Sequence, residues 1–128
     1  MAYDREMIAA TGAPAAIGPY SHAVRAGALL FCSGQIPLDP ITGELVGATP
    51  AEQARQCLAN LTAVCDAAEA KLADAVRLTV YMTDLARFAE VNEVYESFFP
   101  EKPPARVTVG VAQLPKGASV EIDAIVAV

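Results

Sequence analysis

One stretch leaves this chain few choices of architecture. Over residues 49–72, Ala54, Cys57, Leu58, Leu61, Val64, Cys65, Ala68 and Leu72 recur at three- and four-residue spacing. That period is helical and gathers the apolar side chains into one stripe, with Glu52, Arg55, Asp66 and Glu69 off it. The start is equally well marked. Thr49 can cap the helix, Pro50 suits its first turn, and Glu52 completes the Thr-x-x-Glu capping box. A helix this one-sided has to lie on another layer, and the residues after it offer one. Ala75–Met82 alternates, with Val76, Leu78, Val80 and Met82 on one side, which is the period of a strand.

Further elements follow from the same reasoning. Ala26 and Gly27 divide SHAVRAGALLFCSG into two short strands, and QIPLDPITGELVGATP reads as a long loop rich in Pro, Gly and Asp. Leu85, Phe88, Val91, Tyr95, Phe98 and Phe99 predict a second amphipathic helix, stopped by Pro100. Residues 105–111 predict a strand with Ala105, Val107, Val109 and Val111 on one side and Arg106, Thr108 and Gly110 on the other. LPKG turns the chain into a last strand over residues 119–128, where Val120, Ile122, Ala124, Val126 and Val128 face inward. The predicted order is β-β-α-β-α-β-β, an α+β chain with an opening hairpin, parallel crossovers and two helices on one face of a mixed sheet. The other face is left without a cover. A hydrophobic content of 54% points to a second subunit there.

Composition narrows the function. The 128 residues fit one domain, residues 1–128. No apolar run approaches the ~20 residues of a membrane span, so no membrane role is expected. The net charge of −6 and scattered Arg and Lys argue against a nucleic-acid partner. Three cysteines and one histidine form no metal-binding spacing, which predicts neither a structural metal nor a disulfide framework. MAYDREMIAA lacks the basic-then-apolar pattern of a secretory signal, and a reducing cytoplasm is the expected setting. Cys32, Cys57 and Cys65 read as small core residues, and His22 as a surface or loop residue.

The chemistry-bearing pattern is a set of polar side chains on strands. Arg106 and Thr108 share one side of their strand, and Glu121 and Asp123 share one side of the last. A strand-borne arginine presents a planar fork that matches a carboxylate. A strand-borne glutamate can move protons where its surroundings raise its pKa. The pattern by itself fits a cross-strand ion pair at least as well as a site. Tyr20 and Ser33 sit beside glycines, in turns, where local hydrogen bonding is their default role.

Four segments in order add a resemblance. APAAIGPYSHAV, SGQIPLDPITGELV, VNEVYESFF and PARVTVGVAQLPKGASVEIDAIV resemble the successive signatures of the RidA/YjgF family, from about residue 10 onward. The resemblance implies a chorismate-mutase-like α+β fold and a homotrimer with ligand pockets in the clefts between subunits. It implies cofactor-free hydrolysis of reactive 2-imino acids, such as 2-iminopropanoate and 2-iminobutanoate, to 2-keto acids and ammonia.

Within that resemblance, Arg106 takes the position of the arginine that holds the substrate carboxylate, and Glu121 that of the acid that positions or activates water. Tyr20, Ser33 and Gly34 match pocket residues and Asn92 a residue of the pocket rim. Thr108 stands where a cysteine is frequent, and His22 where a glutamine is common; backbone groups at Thr108 would survive the change. Three other readings remain at this point. They are an endoribonuclease or translation inhibitor, a non-catalytic regulator that binds a 2-keto acid, and a pathway-specific deaminase such as one acting on 2-aminomuconate.

Overall fold

The computed structural model describes residues 4–128. In chain order it contains β1 (Arg5–Ile8), β2 (Ala23–Ala26), β3 (Leu29–Gln35), α1 (Pro50–Ala67), β4 (Ala75–Met82), α2 (Phe88–Phe98), β5 (Ala105–Gly110) and β6 (Val120–Ala127). The strands make one sheet in the order β1-β2-β3-β6-β4-β5. β6 runs antiparallel to both β3 and β4, and β5 lies parallel to β4 at the edge.

α1 forms for the reasons its sequence announces. Thr49 Oγ1 accepts the Glu52 N–H at 3.2 Å, and Glu52 Oε2 reaches back to the Ala48 N–H at 2.9 Å. Its stripe of Leu58, Leu61 and Val64 packs on Leu30, Ile122, Ala124 and Val126 of β3 and β6, all buried. The helix stops earlier than the stripe suggests. Ala68 caps it, Glu69 takes a left-handed conformation (φ 57°), and the Ala70 N–H closes on the Cys65 carbonyl. Leu72 therefore belongs to a 3-10 turn, Leu72–Asp74, yet still reaches the core. The second helix likewise opens with a 3-10 turn, Leu85–Arg87, capped by the Asp84 side chain.

Three further differences from the sequence reading have plain causes. β1 goes unannounced because Arg5, Glu6 and Met7 are exposed on an edge strand and Ile8 alone is buried. Val76 leaves its expected row because the β4–β6 register shifts between Ala75 and Arg77, so that Leu78, Val80 and Met82 keep the inward face without it. His22 is buried rather than on the surface. Its Nδ1 accepts the Ala10 N–H at 2.8 Å and its Nε2 donates to the Pro14 carbonyl at 2.7 Å, pinning the irregular stretch between β1 and β2.

Both helices sit on the face lined by Leu78, Val80, Ile122 and Ala124. The opposite face is open. It carries apolar Met7 and Phe31, 61% and 45% exposed, beside Ile125 and Val107. Among these stand Arg77, Glu121 and a Tyr81 hydroxyl that donates to Asp123 Oδ2 at 2.9 Å. Among the described residues no helix is long and apolar enough to cross a membrane.

Candidate functional site

The sheet register decides where each candidate side chain points. Arg106 pairs with Leu78 and Thr108 with Val80. Leu78 and Val80 are buried under the helices, and directly opposed residues share a face, so Arg106 and Thr108 face α2. Glu121 pairs with Tyr81 and Asp123 with Thr79, on the open side. Arg106 and Glu121 thus stand on opposite faces, on strands separated by β4 and with β4 partners three residues apart, so that their backbones lie roughly 14 Å from each other. Their strands are not neighbours, and the pair makes no ion bridge. The cross-strand pairing that their pattern allowed is absent.

Around Arg106 the second helix builds a cradle. Phe88, Asn92, Tyr95 and Phe99 recur every three or four residues and form one line along α2 and its C-terminal end, facing β5. The guanidinium carbon lies 5.1 Å from the Phe88 ring centroid and 4.7 Å from that of Tyr95. One guanidinium nitrogen, NH1, donates to Asn92 Oδ1 at 2.8 Å. Among the described residues the ion pairs are Arg25–Glu6 and Arg87–Glu90, so no carboxylate neutralises Arg106. A groove of about 370 Å3 opens beside it, walled by Pro103, Pro104, Tyr95 and Glu96. Thr108 lines a smaller recess of about 270 Å3 with Leu85 and Phe88.

The second cluster gathers on the other face. Tyr20, Gly34, Lys116 and Glu121 line a groove of about 320 Å3. Burial raises the pKa of the Glu121 carboxyl, and the neighbouring Asp123 charge adds to the rise. Gly34 is required by that carboxyl. A methyl group built on Gly34 would collide with Glu121 Oε2 and lie 3.1 Å from its Cδ. Lys116 holds a left-handed backbone (φ 58°) at the groove's rim.

Tyr20 is half exposed, its hydroxyl accepting the Ile17 N–H at 3.3 Å. Ser33 lies on β3 rather than in a turn, and its hydroxyl donates to the Ser21 carbonyl at 2.6 Å. Tyr20, Gly34 and Glu121 are therefore brought together with Ser33 close by in the chain, while Arg106, Asn92 and Thr108 form a separate set. One chain does not join the two.

Sequence reasoning missed Phe88 and Tyr95 as partners of Arg106. Their line along α2 was visible, but nothing local says that an edge-strand arginine lies across it. A further recess, about 600 Å3, is lined in part by Ala9, Ala10, Ala13, Ala15 and Ala16 of the stretch before β2; it touches Tyr20 and His22 but neither Arg106 nor Glu121. The cysteines are buried as expected, and burial pushes the Cys57 thiol well up.

A mixed sheet covered by two helices, with an arginine unneutralised among the described residues on one face and a perturbed glutamate on the other, defines a small α+β protein with two candidate half-sites. The sequence model described as endoribonuclease L-PSP matches residues 10–128, and the chain belongs to that family, the RidA (YjgF) family. It is 51% identical over 121 residues to the 2-iminobutanoate/2-iminopropanoate deaminase of Escherichia coli K12, covering 92% of this chain and 94% of that protein. RidA from the Antarctic bacterium Psychrobacter sp. PAMC 21119 superposes with a TM-score of 0.92 at 44% identity, over 96% of this chain and 99% of the other. Escherichia coli TdcF, crystallised with bound serine, superposes at 0.91 and 43%, over 96% and 98%.

Proposed function

We propose that this protein is a cofactor-free deaminase that hydrolyses 2-iminopropanoate, 2-iminobutanoate and related imino or enamine acids to 2-keto acids and ammonia. One observation carries the reading. Arg106 is held in place by two aromatic faces and a neutral Asn92, with no carboxylate among the described residues to satisfy it. Such a guanidinium is prepared for an anion that arrives from outside. The serine bound to TdcF is a small amino acid with a carboxylate, in keeping with that role.

In this reading the 128 residues act as one domain, in the cytoplasm, as a closed ring of three. The Arg106 set of one subunit meets the Tyr20–Ser33–Gly34–Glu121 set of the next, because a ring brings different surfaces together. Arg106 grips the substrate carboxylate, and backbone N–H groups near Gly34 and Thr108 orient it. Glu121 takes a proton from water as the oxygen adds to the carbon of the protonated imine, giving a neutral carbinolamine. The same carboxyl then returns that proton to the nitrogen. As the C–N bond breaks, the carbinol O–H proton passes to Glu121, ammonia leaves and the keto acid remains. Imines already hydrolyse readily in water, so orientation and a local proton relay suffice.

The test is a coupled assay that generates 2-iminopropanoate in situ and follows keto-acid release. The wild-type protein should accelerate release and Arg106→Ala should abolish the acceleration. Arg106→Lys should be nearly as inactive, because one ammonium cannot replace a planar fork. Full activity in Arg106→Ala would refute the anchor.

The family description also favours a second reading, RNA cleavage. The net charge of −6 stands against it. Cleavage of RNA that persists across salt concentrations, with no imine hydrolysis, would select it. A keto-acid-binding regulator is distinguished by Glu121→Gln, which silences an enzyme and leaves a regulator's affinity. A narrower deaminase, for 2-aminomuconate as an example, would show in the same assay as preference for that substrate.

A further inference from the structure

We infer that Tyr95 is a positioning residue for Arg106, its ring face holding the guanidinium plane so that the edge not bonded to Asn92 is presented to a small anionic ligand. The inference rests on the reading that Arg106 receives a carboxylate.

The geometry comes first. The Tyr95 centroid lies 4.7 Å from the Arg106 guanidinium carbon, within the range where the ring's negative face attracts a cation. Phe88 offers a second face at 5.1 Å. Tyr95 is itself held: Phe99 packs against it with centroids 4.9 Å apart and planes inclined by 43°. Asn92, one turn back on the same line of α2, fixes NH1. β5 is an edge strand, with β4 alone beside it. An arginine there would swing through many rotamers without such a cradle, and ordering it on binding would weaken affinity.

The phenol supplies an independent pointer. Tyr95 is 5% exposed, and its buried hydroxyl has no hydrogen-bond partner among the described residues. A buried, unpaired hydroxyl destabilises a fold. Burial raises the phenol's pKa, while the Arg106 charge pulls it back, so the two groups sense each other. The ring, rather than the hydroxyl, is therefore what this position contributes to Arg106. Phenylalanine should serve as well there and fold more firmly.

The experiment compares Tyr95→Leu, Tyr95→Phe and Arg106→Ala by calorimetric titration with 2-ketobutyrate, the stable keto acid that 2-iminobutanoate would yield, with melting temperature measured for each. Binding by the wild-type protein and its loss in Arg106→Ala establish the anchor. Tyr95→Leu should then weaken binding roughly three- to thirtyfold, the range for a lost cation–π contact. In the deaminase assay that loss should appear in KM more than in kcat. Tyr95→Phe should restore affinity to within about twofold of wild type and melt at or above the wild-type temperature. The ring-current shift of the Arg106 side-chain protons should persist in Tyr95→Phe and diminish in Tyr95→Leu.

Wild-type affinity in Tyr95→Leu, with Arg106→Ala inactive, would overturn the positioning role and leave the anchor standing. Weak binding by Tyr95→Phe equal to that of Tyr95→Leu would also overturn it, by assigning the effect to the hydroxyl. Unchanged binding in Arg106→Ala would instead remove the anchor and, with it, the reading on which the inference rests. Binding without imine turnover would remove the deaminase reading alone.

Discussion

At the scale of single residues, Glu121 shows how environment can assign a chemical role. Its carboxyl is half-buried beside Asp123, and both conditions favour the protonated form. A carboxyl whose pKa is raised by folding binds its proton more tightly in the native state than in the unfolded chain. Stability therefore falls as pH rises from the ordinary carboxylate value of 4.5 through the raised one. Glu121→Gln should accordingly melt higher than wild type at neutral pH, and the gain should vanish near pH 4; an equal gain at both would deny the shift. As a base, Glu121 must be ionised, so kcat/KM should fall as pH drops through the same raised value. Gly34→Ala should evict this carboxyl while leaving the fold, because the collision is with the end of a flexible side chain. Wild-type turnover in that variant would show that the carboxyl's seat does not matter.

His22 makes a complementary point. It uses one ring nitrogen as acceptor and the other as donor. A glutamine side chain also offers one acceptor and one donor group, which accounts for how either residue can hold this turn.

At the scale of elements, local signals and long-range pairings differ in how readable they are. The N-terminus of α1 was legible because Thr49, Pro50 and Glu52 act on adjacent backbone groups. Thr49→Ala should cost about 1 kcal/mol in denaturant unfolding; no change would mean that the cap is redundant. β2, β3, β4, β5 and β6 were legible from alternation and turns, and the two helices from their stripes. β1 was not, since an edge strand with exposed Arg5, Glu6 and Met7 has no inward pattern to read. The strand order was the larger gap. Nothing in the segment 119–128 states that it inserts between β3 and β4. That insertion separates Arg106 from Glu121, so the candidate residues could be named from their motifs while their arrangement could not.

At the scale of the whole molecule, the proposed ring of three, in which Arg106 of one subunit meets Glu121 of the next, decides what an experiment on mixed subunits should find. Arg106→Ala retains a sound Glu121 set, and Glu121→Gln a sound Arg106 set. Each variant alone should be inactive. Co-refolded in equal amounts, they should recover about a quarter of the wild-type activity, since one neighbouring pair in four joins an intact Arg106 to an intact Glu121 in a closed ring. No recovery would mean that the residues act within one chain or not together.

The opposition of those two side chains across the sheet has a kinetic corollary. A monomer, however well folded, holds both sets but points them in opposite directions. In the proposed ring, specific activity should then depend on protein concentration, collapsing on dilution below the concentration at which the ring dissociates while circular dichroism reports an unchanged backbone. If the proposed ring of three is the active form, a cell making this chain would acquire the proposed activity steeply rather than in proportion, near the third power of the amount synthesised while assembly is incomplete.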